Sequence, residues 1–158
     1  MAEGLLDFIV VGASKSGTTS LFQYLRTHPE IFIPPGKDAP FFSGDDTSLT
    51  AWRTFAAQQF DHADAQARWG TVTPRYMEDS AVPRRIAATM PSVRLVAILR
   101  NPIDRSFSQY RQQLRQGKES RSFDSIVHEQ SAAEQAARVR RLDPPDAATE
   151  VTYLVRGE

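Results

Sequence analysis

The chain has 158 residues, with 19 basic and 19 acidic side chains and no cysteine. That is the length of one domain, enough to bury a core without covalent staples. The absence of cysteine excludes disulfides, thiolate metal sites and thiol nucleophiles, and the balanced charge argues against a bulk nucleic-acid binder.

Leu5–Val11 is a short run rich in β-branched residues and predicts a strand buried on both faces, as in a parallel sheet. It is interrupted by Asp7 and lacks a basic flank, so the expectation is no signal peptide, no membrane span and a cytoplasmic location. Gly12-Ala-Ser-Lys-Ser-Gly17 breaks the pattern, and Thr18 opens a helix with Leu21, Phe22 and Leu25 that stops at Pro29. Ile31–Ile33 is a second short apolar run, closed by Pro34-Pro35-Gly36. Lys37-Asp-Ala-Pro-Phe-Phe42 follows as a loop. Residues 43–68 read as partly helical, with Trp52, Phe55 and Phe60 as core contacts. Trp69–Thr73 predicts a strand ended by Pro74, and Val82, Ile86 and Met90 recur at helical spacing. Arg94–Leu99 predicts a second buried strand. Asn101 is a good N-cap, with Pro102 in the first turn and Ile103, Phe107, Tyr110 and Leu114 on one helical face. Residues 123–142 predict a helix with Phe123, Ile126 and Val127 inward and Arg138, Arg140 and Arg141 at its end. Asp143–Asp146 reads as a linker, and Val151–Val155 as a last apolar run. Strands alternating with helices predict an α/β fold with a central parallel sheet, in a single domain spanning 1–158.

Two loops carry chemistry. In Gly12-Ala-Ser-Lys-Ser-Gly-Thr-Thr19, successive backbone N–H groups enter a helix start and make an anion cradle. The two glycines match a Walker A loop, but position 18 is Thr and the lysine sits earlier, at Lys15. That shift speaks against a Mg-ATP enzyme and for a shorter, diphosphate-like anion. The plain alternative is an ordinary glycine-containing turn. The second loop is Ile98-Leu-Arg-Asn-Pro-Ile-Asp-Arg-Ser-Phe-Ser-Gln-Tyr110. Arg100 follows a strand end, where open α/β sheets bind ligands, and Ser108 lies two turns along the helix. The plain alternative there is an ion pair between Arg100 and Asp104. Together the two loops imply a ligand with phosphates at both ends.

On these residues the chain resembles the sulfotransferases that use 3′-phosphoadenosine 5′-phosphosulfate (PAPS), in their heparan-sulfate and bacterial carbohydrate-type branch. Ser14-Lys-Ser-Gly-Thr-Thr-Ser-Leu21 resembles the family's 5′-phosphosulfate loop. Arg94 to Tyr110 resembles its 3′-phosphate motif, Lys37-Asp-Ala-Pro-Phe-Phe42 its K-E-x-x-F-F segment, and Thr73-Pro-Arg-Tyr76 its T-P-x-Y segment. The resemblance implies a three-layer fold of the P-loop nucleotide-hydrolase type. It also implies sulfuryl transfer from PAPS to a hydroxyl or amine of a carbohydrate or small-molecule acceptor, releasing PAP without a metal.

Residue by residue, the resemblance implies that Ser16, Gly17, Thr18 and Thr19 hold the 5′-phosphate, with Ser14 in the same cofactor-binding loop and Lys15 on the sulfuryl-bridging oxygen. Lys15 neutralises charge on the leaving group. Arg100 and Ser108 bind the 3′-phosphate, and Asp38 is the general base. His28 and His62 are reserve bases. Asp38 departs from the family's glutamate by one methylene. Val72 stands where heparan-type enzymes carry lysine; either another cation substitutes, with Arg75 close in sequence, or the sulfuryl group is stabilised by Lys15 and Lys37. Family members continue past Arg156-Gly157, so the expectation is the N-terminal part of such a domain, with weakened donor binding. Two other functions compete: a P-loop ATP-dependent kinase, and a non-catalytic PAP-binding fragment whose Arg138–Arg141 cluster meets an acidic partner.

Overall fold

The computed structural model describes residues 5–61, 63 and 67–140. Two units are distinguished, Met1–Leu99 and Arg100–Glu158.

The first unit is an α/β layer structure. In chain order it holds β1 (Phe8–Gly12), α1 (Thr18–Arg26), β2 (Ile31–Phe32), α2 (Leu49–Gln59), β3 (Arg68–Val72), α3 (Val82–Thr89) and β4 (Arg94–Ala97). Short 3₁₀ turns sit at Phe41–Ser43 and Pro74–Glu78. The strands form one sheet in the order β2-β3-β1-β4, with every pairing parallel.

β1 is central to this arrangement because its residues alternate between two cores. Ile9, fully buried, joins Phe42, Trp52, Phe60, Tyr76, Val82, Ile86 and Met90 on one face. Val10, also fully buried, joins Phe22, Ile33 and Val72 on the other. A strand's two-residue period, with helices on both sides, gives the three layers. Asp7, which breaks the apolar run, ties two strands together. Its carboxylate accepts from the Trp69 N–H (2.9 Å) and from Arg68 (3.0 Å). Gly70 lies opposite Phe8, where a Cβ would meet the Phe8 ring at 2.2 Å.

The topology creates a crevice. From β1 the chain leads out to β2 on the far side of β3, and from β3 it crosses to β4 on the other flank of β1. Connections that diverge in this way leave room for a ligand at the carboxyl ends of the strands. The loops after β1 and β3 lie there.

One expectation changes. The run Arg94–Leu99 does form a strand, but over Arg94–Ala97, and all four residues are exposed rather than buried. Leu95 is 54% exposed and Val96 37%. Among the described residues β4 is the sheet's edge, with β1 as its neighbour, and hydrophobicity alone does not report what stands beyond an edge.

The second unit is a helical hairpin of α4 (Pro102–Arg115) and α5 (Phe123–Arg140). Asn101 caps α4 as expected, its side chain accepting from the N–H groups of Ile103 (3.0 Å) and Asp104 (3.4 Å). The helix ends in a Schellman pattern at Gly117 (φ 66°), with the Lys118 N–H bonded to the Gln113 carbonyl. Phe107, Tyr110 and Phe123 group their rings, and Ile126 is buried. Ile103 (72%) and Phe107 (45%) of the expected inner face stay largely exposed. The side chains of Arg138 and Arg140, and the whole of Arg141, Asp143–Asp146, Val151–Val155 and Arg156-Gly157, lie outside the described residues.

Candidate active site

The loop after β1 is tied down by backbone hydrogen bonds and leads into the start of α1. The Ala13 N–H bonds the Ile98 carbonyl and the Ile98 N–H bonds the Gly12 carbonyl, both at 2.8 Å, so the loop leaves a fixed carboxyl end of β1. The Ser16 N–H closes a turn on the Ala13 carbonyl. Lys15 takes a left-handed conformation (φ 68°), and so does Gly17 (φ 98°), which caps α1 without a side-chain hydrogen bond. The first-turn N–H groups of α1 therefore have no capping side chain and point out of the helix with its positive dipole end. The Ser16 hydroxyl is buried and has no hydrogen-bond partner. Nothing lies within 4 Å of where a Gly17 Cβ would sit. An orphaned hydroxyl, an uncapped helix start and open space beside a glycine fit a phosphate. Thr18 is buried, Thr19 is exposed, and Ser14 and Lys15 are half-buried.

The second segment is Lys37–Phe42. Lys37 reaches across to the cradle, its ammonium donating to Thr19 Oγ1 at 3.1 Å. This contact joins two segments that are separate in the sequence. Asp38 is exposed and stands in the left-handed region (φ 68°), which is uncommon for a residue other than glycine. Its N–H donates to the Val72 carbonyl at 3.0 Å. Phe41 and Phe42 pack their rings with Trp52, Phe41 also meets Phe55, and Phe42 meets Tyr76 edge-on, so the two aromatics fasten the loop to the core. Both non-glycine residues with positive φ among the described residues, Lys15 and Asp38, belong to the motifs singled out above.

Two residues carry more of the site than their motif suggests. Thr73 and Tyr76 both donate their hydroxyls to the Ala39 carbonyl, at 3.1 and 2.6 Å. The Tyr76 oxygen in turn accepts from the Phe42 N–H at 3.1 Å. Burial pushes the pKa of the Tyr76 hydroxyl up to about 12. The signal in the sequence is a strand ended by Thr-Pro with a tyrosine three residues past the threonine, but spacing does not name a partner more than thirty residues away.

Val72 is buried strand, as expected, and serves through its backbone; Arg75 is exposed. His28 is occupied structurally, its Nδ1 accepting from the Glu30 N–H. His62 lies outside the described residues. In the second unit, Arg100 is exposed just ahead of the Asn101 cap, and Ser108 is half-buried in α4.

A three-layer α/β unit whose first strand leads through a glycine-containing loop into a helix defines a P-loop-like α/β fold. The chain belongs to the sulfotransferase-domain family, whose model matches residues 5–138. It is similar to the membrane-associated sulfotransferase kil1 of Dictyostelium discoideum, 31% identical over 133 residues, covering 80% of this chain and 28% of that protein. It is 33% identical over 107 residues to human heparan sulfate glucosamine 3-O-sulfotransferase 6, covering 67% of this chain and 30% of that protein. Among solved structures, a sulfotransferase from Alicyclobacillus acidocaldarius superposes with a TM-score of 0.68 at 30% identity, covering 89% of this chain and 61% of that one. The chain thus spans under a third of the length of these curated relatives.

Proposed function

We propose that this chain carries the donor-binding and catalytic residues of an enzyme that moves a sulfuryl group from PAPS to a hydroxyl or amine, with a carbohydrate as the acceptor class. The observation that carries the reading is the Lys37–Thr19 contact. It joins the proposed phosphate cradle to the segment bearing Asp38 at the carboxyl ends of the strands. The orphaned Ser16 hydroxyl and the glycine-capped helix start support a phosphate in the cradle. The carbohydrate acceptor is supported by the similarity to the heparan sulfate enzyme.

In the reaction, the acceptor oxygen or nitrogen attacks sulfur in line. The new bond to sulfur forms as the bond from sulfur to the bridging oxygen breaks, and the acceptor proton passes to the Asp38 carboxylate. The leaving 5′-phosphate gains negative charge, which the Lys15 and Lys37 ammonium groups and the α1 N–H groups neutralise. Thr19, held by Lys37, and Ser16 bind phosphate oxygens. Arg100 and Ser108 take the 3′-phosphate, which ATP lacks.

Calorimetric titration with PAP, and with ATP plus Mg²⁺, tests the nucleotide; transfer of radiolabelled sulfuryl from PAPS to desulfated heparan oligosaccharides tests the reaction. PAP binding with sulfuryl transfer is the expected outcome. Binding of Mg-ATP in preference to PAP overturns the reading. The kinase alternative gains nothing from the cradle, where the position a Walker A lysine would hold is the buried Thr18.

A further inference from the structure

We propose that the Thr73 and Tyr76 hydroxyls are positioning groups: by sharing the Ala39 carbonyl they hold the backbone of Asp38 in the conformation from which its carboxylate meets the acceptor. This rests on the reading of Asp38 as general base.

The left-handed backbone of Asp38 is uncommon for a residue other than glycine, and such a residue persists only where its surroundings over-determine it. Those surroundings are visible. On the N-terminal side of the residue, the Asp38 N–H is tied to the Val72 carbonyl at 3.0 Å. On its C-terminal side, the Ala39 carbonyl accepts from Thr73 Oγ1 (3.1 Å) and Tyr76 Oη (2.6 Å). A carbonyl oxygen has two lone pairs, so this acceptor is filled. The Tyr76 oxygen then accepts the Phe42 N–H (3.1 Å), which fixes the far end of the loop. These hydrogen bonds join residues 38–42 to residues 72–76. Thr73 and Tyr76 are only 2% and 3% exposed, so water does not compete for the bonds.

The side-chain chemistry makes accurate placement matter here. Aspartate carries its carboxylate one methylene closer to the backbone than glutamate, so it has fewer rotatable bonds with which to correct a misplaced Cα. A displacement of about 1 Å at a reacting group can cost roughly 100-fold in rate. Neither hydroxyl is placed to touch the reactants, because each is directed at Ala39.

Tyr76→Phe keeps the ring in its place against Phe42 and removes the oxygen alone. It leaves Ala39 with one donor and the buried Phe42 N–H without its acceptor. The expected result is a fall in kcat of roughly 10–100-fold, with PAP affinity within about twofold of the parent. Thr73→Val has the same direction and a smaller size, and Thr73→Ser restores the parent kcat.

Two readouts separate positioning from a general loss of structure. The first is the kcat of Tyr76→Phe in an Asp38→Asn background: with no base left to position, the second change adds no further loss, whereas damage to the fold lowers kcat in both backgrounds. The second is amide hydrogen exchange, with Asp38 and Phe42 exchanging at least tenfold faster in Tyr76→Phe while Ile9 and Val10 keep their parent rates. Parent exchange rates at Asp38 and Phe42, or a kcat within twofold of the parent, overturn the proposal. If Asp38→Asn alone leaves kcat unchanged, the base assignment fails instead, whatever the exchange rates are.

Discussion

Replacing Gly17 with alanine tests the cradle through its backbone alone. A Cβ at this position meets nothing within 4 Å, so there is no steric cost from packing. The cost is conformational: φ 98° lies beyond the left-handed region that L residues tolerate. Holding alanine there costs about 1–2 kcal/mol, which for a chain of this length lowers Tm by roughly 2–8 °C. If the peptide instead rotates to relieve the strain, the Thr18 N–H swings away from the cradle. The loss of one charge-assisted hydrogen bond, about 1.5–3 kcal/mol, then weakens PAP binding by roughly 10–150-fold. Gly36→Ala is the control, because that glycine also has open space at its Cβ but no positive φ. Differential scanning calorimetry and PAP titration on the two variants read both effects. Gly17→Ala matching Gly36→Ala in both Tm and Kd would refute the conformational reasoning and the cradle with it.

Lys15→Ala and Arg100→Ala are each expected to weaken PAP binding at least tenfold by calorimetry while leaving Tm within about 2 °C, since both are charge-assisted phosphate contacts in the proposed reaction. Asp38→Asn is expected to lower turnover in the radiolabel assay at least 100-fold while sparing PAP affinity. Asn101→Ala removes the cap of α4 and is expected to cost about 1 kcal/mol, read as a shifted denaturant midpoint. Tyr76 gives a pH signature. The pKa of its hydroxyl is raised from 10.0 to about 12 by burial, so between those values the unfolded chain loses a proton that the folded chain keeps. Stability therefore falls as pH rises above about 10, by up to about 1.4 kcal/mol per unit, and thermal melts of Tyr76→Phe show a shallower decline over that range.

The local devices were legible because their causes are local. A run of β-branched residues ended by glycine marked β1, and the observed strand, Phe8–Gly12, is the same feature shifted toward the turn. Asn101 followed by Pro102 announced a helix start, and the side-chain cap is there. The order of the four motifs pointed to the sulfotransferase family to which the chain belongs. Burial was less legible. Leu95 and Val96 are as apolar as Ile9 and Val10, yet one pair lies exposed on the edge strand and the other is sealed between two helical layers. Strand position in the sheet made that difference, and strand order is not written in any one strand.

For the site, the sequence by itself determined which residue types stand at the strand ends: glycines that free a loop, a lysine within it, a Lys-Asp pair followed by two aromatics. These follow from side-chain chemistry and spacing. Tertiary structure decided what those residues do to one another. It brought Lys37 to Thr19, put Asp38 in a left-handed conformation, and gave the Ala39 carbonyl two hydroxyls from the segment that follows β3. The physical reason is that hydrogen bonds and burial act through space. The segments after β2 and β3 meet because those strands pair in parallel, and the pairing of β3 with β1 brings both to the loop after β1; parallel strands need long crossover connections, so these partners lie far apart in the sequence.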